Sequence, residues 1–97
     1  MNMQAMMQQA QKLQKDMMKA KEEIDNKTFV YKQSFVEVEM KGTKEIVKIK
    51  IDKEALDKED IEMLEDIITI AVNENIKAIN KETESKLGKF GGMAGML

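Results

Sequence analysis

Cysteine, histidine, proline, tryptophan and arginine are all missing from this chain of 97 residues. Without cysteine there is no disulfide framework, no thiolate metal site and no thiol nucleophile. That absence fits a reducing, cytoplasmic compartment. Without histidine, and with Ser34 and Ser85 as the only serines, neither a hydrolytic triad nor an imidazole metal centre can be assembled. Gly42 is the sole glycine before residue 88, so no glycine-rich phosphate loop is available. No apolar run approaches the ~18 residues of a membrane span. The first lysine is Lys12 and glutamines interrupt the early methionines, which is not the pattern of a signal peptide. All sixteen basic residues are lysine. Bidentate guanidinium recognition is therefore excluded, and only point-charge contacts to phosphate remain.

The residues present favour helix first. Positions 2 to 25 are rich in Met, Gln, Ala, Lys and Glu, all good helix formers. Met3, Met6, Ala10, Leu13, Met17, Ala20 and Ile24 recur at spacings of three and four. This is a heptad stripe with an apolar side to bury.

From residue 28 to 52 the period changes to two. Phe29 and Tyr31, then Val36, Val38 and Met40, then Val47, Ile49 and Ile51 mark three strands with one shared apolar face. Gln33-Ser34 and Lys41-Gly42-Thr43-Lys44 are the turns. Glycine at the first central position of the second turn predicts a two-residue II′ hairpin. That register sets Val38 against Val47, Val36 against Ile49 and Glu37 against Lys48, matching apolar with apolar and acid with base.

A second long helix is expected from Lys58 to Leu87, with Asp57 as its N-cap. Ile61, Leu64, Ile68, Val72, Ile76, Ile79 and Leu87 make one apolar stripe; Met63, Ile67, Ile70 and Ala71 make another. A helix apolar on two sides needs two partners. The sheet takes one side, and a second copy of the chain is assigned the other, through Met63, Ile67, Ile70 and Ala71. Glu59, Glu62, Glu65 and Asp66 read as a solvated acidic helix start rather than a catalytic carboxylate pair. Residues 1–87 then form one domain, and 88–97, with four of the five glycines, a flexible tail.

The fold class is thus α+β, in the order α-β-β-β-α. Both helices are longer than a six-residue strand, so they overhang the sheet as a protruding antiparallel arm. Met3, Met6, Ala10 and Leu13 are expected to meet Ile76, Ile79 and Leu87 there. The arm segments, 1–19 and 75–97, carry Lys12, Lys15, Lys19, Lys77, Lys81, Lys86 and Lys89 against Asp16, Glu82 and Glu84, a balance of +4. The remainder holds nine lysines and fifteen acids, a balance of −6. Basic arms on an acidic base suit phosphate contacts, which position a ligand without reading its sequence. With four aromatics, three of them in the strands, a base-stacking platform for single strands is poorly served.

With this order in view, the chain resembles the YbaB/EbfC family of bacterial nucleoid-associated proteins. The opening helix around MMQQAQKLQKDM (6–17), the last strand VKIKIDKEAL (47–56), the segment EMLEDIITIAVNENIKAI (62–79) and the ending GGMAGML carry the likeness. It departs from the family in its glycine-free Gln33-Ser34 turn and in Lys53, where a proline is common. The resemblance implies a non-enzymatic, cofactor-free homodimer in the cytoplasm and nucleoid. It implies paired helical arms that bind double-stranded DNA with little sequence preference and alter its conformation. Nucleoid organisation, gene regulation and DNA protection are the implied roles, with recombination-repair proteins as implied partners. The alternative is a protein-interaction or chaperone-like module whose methionine-bearing arms grip apolar partners.

Overall fold

The computed structural model describes residues 2–91, with Ala55 described by its backbone alone. Helix α1 (Met3–Asn26) leads into strands β1 (Thr28–Gln33), β2 (Val36–Lys41) and β3 (Ile46–Ile51). Two short 3-10 turns, Lys53–Ala55 and Lys58–Asp60, precede helix α2 (Ile61–Leu87). The order is the expected α-β-β-β-α, and the molecule is a rod of 70 × 18 × 15 Å.

The strands form an antiparallel meander in the order β1-β2-β3. Val36, Val38 and Met40 on the central strand are completely or almost completely buried. Each such side chain contributes about 1.5–3 kcal/mol of burial. Helix α2 lies across β1 and β2 and leaves β3 at an open edge, so Ile46, Val47 and Ile49 stay exposed.

The hairpin register differs from the expected one by two residues. Val36 faces Ile51, Glu37 faces Lys50, and Val38 faces Ile49. The loop is longer than a II′ turn: the Lys44 amide donates to the Lys41 carbonyl at 2.8 Å, and the Lys41 amide to the Glu45 carbonyl at 2.9 Å. Lys44 takes the left-handed conformation, with φ 73°, the geometry of a three-residue hairpin loop. Val47 is then the extra residue of a bulge opposite Glu39/Met40. A slip of two keeps residues 48–51 on their original faces, so there apolar still meets apolar and Glu still meets Lys, while the bulge brings Ile46 opposite Met40. The earlier turn centres on Ser34 and Phe35 rather than Gln33 and Ser34, with Ser34 at φ 53°.

Gly42 serves packing rather than turn geometry. Its φ is not positive. A Cβ there would overlap the Ile24 carbonyl at the end of α1 and lie 3.1 Å from the Asp25 Cα. The Gly42 amide donates to the Lys27 carbonyl at 3.0 Å. This contact pins the end of α1 to the β2–β3 hairpin.

The buried row of α2 is Ile67, Ala71, Asn75, Ile79 and Leu87. Ile67 and Ala71 pack on Val36 and Val38 in one cluster. Ile79 and Leu87 join Met17, Ile24, Phe29, Met40 and Phe90 in the other. Asn75 sits between them, buried, with its Nδ2 donating to the Val38 carbonyl at 3.0 Å. The expected partners of the arm are therefore corrected. Met17, Ala20 and Ile24 take the places assigned to Met3, Met6, Ala10 and Leu13, because α2 spends its first turns on the sheet. Residues 3–16 of α1 are exposed throughout. The expected tail from residue 88 begins as a packed 3-10 turn over 88–91 that buries Phe90, and 92–97 lie outside the described residues.

Replacing Gly42 by alanine is expected to lower the stability to urea by about 1–3 kcal/mol, the range for overpacking a tight contact. Equilibrium unfolding followed by circular dichroism measures it; an unchanged midpoint would mean the helix end yields freely.

Candidate nucleic-acid interface

The seven lysines of the expected basic arms differ in exposure and in pairing. Lys12, Lys15 and Lys19 are exposed on α1 and make no ion pair among the described residues. At about 100° per residue they fall close to half a turn from Met17, the first buried residue of the stripe. They form a row along the outer face of α1. Lys15 and Lys19 border a shallow groove shared with Gln11, Gln14 and Met18.

Lys77 and Lys81 are exposed on α2, about half a turn from the buried Ile79. They face away from the core on the other helix. Lys77 is paired with Glu74 at 3.3 Å. Lys86 is half-buried and 3.6 Å from Glu82. Lys89 lies 5.2 Å from the Phe90 ring centre, a cation–π distance. The row on α1 is thus three exposed lysines without an ion pair among the described residues, with Asp16 one helical turn from Lys12 and Lys19.

Glu82 gathers charge at the junction of arm and sheet. Lys27 Nζ donates to both its carboxylate oxygens, at 2.7 and 2.9 Å. These hydrogen bonds hold the Glu82 carboxyl below its ordinary value near 4.5; the charges of Lys27 and Lys86 act in the same direction, and burial opposes them. Two lysines are thereby committed to structure.

The residues assigned to a second copy also divide. Ile67 and Ala71 are buried in the protomer's own core, at 5% and 0% exposure, and that part of the expectation is corrected. They point at the sheet because the buried row of α2 follows the i, i+4 spacing through Asn75 to Ile79, a row the asparagine interrupts in the sequence. Met63 and Ile70 are exposed at 52% and 41%. The exposed β3 edge was not foreseen from the sequence, since alternation alone does not tell a covered strand from an uncovered one. No helix is long and apolar enough to cross a membrane among the described residues, and no cluster of possible metal ligands occurs among them.

The model of the YbaB/EbfC DNA-binding family matches residues 1–94. The chain belongs to that family. It is 51% identical over 92 residues to a nucleoid-associated protein of Lactococcus lactis subsp. cremoris strain MG1363, covering 93% of each chain. It is 43% identical to a nucleoid-associated protein of Pelotomaculum thermopropionicum, covering 94% of this chain and 89% of that one. A nucleoid-associated protein of Enterococcus faecalis shares 40% identity, covering 92% and 88%. The family membership accords with the α-β-β-β-α order.

The depressed Glu82 carboxyl makes a signed prediction. Its contribution to stability is fully present above the unfolded value, near 4.5, and is lost as pH falls through the lower folded value. Glu82→Gln is expected to remove that part of the acid dependence, read as urea midpoints from neutral to acid pH. Parallel profiles for the two proteins would refute the assignment.

Proposed function

We propose that this chain is a non-enzymatic, nucleoid-associated protein that binds double-stranded DNA. The observation that carries the reading is the row Lys12, Lys15 and Lys19, exposed along α1 and free of ion pairs among the described residues, on a member of a DNA-binding family. Lysine ammonium groups neutralise phosphates and release counterions, giving affinity with little sequence preference. The acidic remainder of the chain faces such contacts away from the sheet, so the duplex is engaged by the arm. The cytoplasm and the bacterial nucleoid are the corresponding locations.

The working unit in this proposal is a homodimer. Its support is the apolar surface a single chain leaves in water: Ile46, Val47 and Ile49 on β3, with Met63 and Ile70 on α2, each 41–54% exposed. Scattered apolar residues are ordinary, but three on one edge strand, beside Lys48 and Lys50, mark an association surface. Two copies present two lysine rows, and binding through both would constrain the path of the duplex and alter its conformation. Recombination-repair proteins enter as partners only through the family resemblance.

Exposed Met3, Met6, Met7 and Met18, at 52–79%, favour a second reading, a module that grips apolar partners. It requires no affinity for DNA at low salt and a protein interaction indifferent to salt.

Lys12→Gln, Lys15→Gln and Lys19→Gln combined are expected to weaken duplex binding in gel shifts. The salt slope should fall by about 0.9 for each phosphate that the variant no longer neutralises, with the fold intact. Undiminished binding would remove α1 from the interface. Sedimentation should give twice the 11.1 kDa of one chain; a monomer at working concentration would defeat the dimer.

A further inference from the structure

Among the described residues, the end of α1 is uncovered. Residues 3–16 are helical and exposed on every side, and the first buried residue, Met17, meets the last turns of α2 and Phe90. About four turns, roughly 20 Å of helix, extend past the two-helix arm. A single helix with its side chains is about 10–12 Å across, and the major groove of B-DNA, about 12 Å wide, admits one helix but not two side by side.

The surface of this free segment has a specific arrangement. Gln4, Met7, Gln11, Gln14 and Met18 recur at spacings of three and four and form an uncharged, exposed stripe. The lysine row lies directly beside it, with Lys15 and Lys19 lining the same groove as Gln11, Gln14 and Met18, a groove whose far end is lined by Lys21, Glu22 and Asp25. Acids are absent from residue 3 through Lys15. Glutamine amides present a donor and an acceptor, the pair that matches the major-groove edge of adenine, and apolar side chains match the thymine methyl. Lysines a fraction of a turn away are placed for the phosphates along one wall. Asn2 holds the helix start, accepting from the Gln4 amide at 3.0 Å.

We propose that the free end of α1 enters the major groove, with Gln4, Met7, Gln11 and Gln14 toward the base edges and Lys12, Lys15 and Lys19 on a phosphate wall. The proposal rests on duplex DNA being the ligand and adds where on the duplex the protein sits.

Gln4→Ala, Gln11→Ala and Gln14→Ala combined keep every charge and a good helix former at each position. Affinity for an unmodified duplex is expected to fall about tenfold, with an unchanged salt slope. A duplex whose major groove is filled by glucosylated hydroxymethylcytosine should bind about tenfold more weakly than its plain counterpart. Distamycin, a minor-groove ligand, should leave binding as it was. Binding that ignores both the glutamine changes and the filled groove overturns groove insertion while leaving DNA binding standing. No binding to any duplex at low salt defeats both readings. A lower sedimenting mass for the glutamine variant would place the stripe at a subunit contact and also overturn the proposal.

Discussion

One buried row on α2 has to serve two partners in succession, and the shape of the molecule follows from that. Its first half, Ile67 and Ala71, is committed to Val36 and Val38 on the central strand. Its second half, Ile79 and Leu87, is committed to Met17 and Ile24 of α1. A helix of 27 residues has no length left for the start of α1. The uncovered helix end is a consequence of this arithmetic of rise per residue. Burial of the row is the dominant favourable term in so small a domain.

Two polar details keep the halves in place. Asn75 stands where the row passes from sheet to arm, and its hydrogen bond to the Val38 carbonyl satisfies a polar group that would otherwise be costly to bury. Gly42 lets the hairpin approach the end of α1 closer than any side chain would permit. The first ties α2 to the sheet, the second ties α1 to it. The arm thus projects in a direction set at its base.

Electrostatics then separates structural lysines from available ones. Lys27 and Lys86 converge on Glu82, and Lys77 pairs with Glu74. Lys12, Lys15 and Lys19 form no ion pair among the described residues, although Asp16 stands one helical turn from Lys12 and Lys19, and Glu22 and Glu23 one turn beyond Lys19. A chain of net charge −2 can therefore present a cationic surface, because its acids are concentrated around the sheet. Point charges without guanidinium forks suit phosphate neutralisation better than fixed recognition.

The sequence by itself determined the α-β-β-β-α order, the apolar face of each strand and the basic bias of the helix ends, because periods of 3.6 and 2 are written in the spacing of residues such as Met17 and Ile24 or Val36 and Val38. It did not determine the hairpin register, since a slip of two residues leaves the faces and charge matches of residues 48–51 intact. Nor did it determine how α1 and α2 align, since the heptad stripe from Met3 to Ile24 is uniform and names no partner. Lys12, Lys15 and Lys19 were legible as one helix face, yet their separation from Lys77 and Lys81 was not, because that depends on how two helices face each other. Those matters were decided only in the tertiary structure, where the finite length of α2 and the close approach at Gly42 fixed which residues are covered and which are left to meet a ligand.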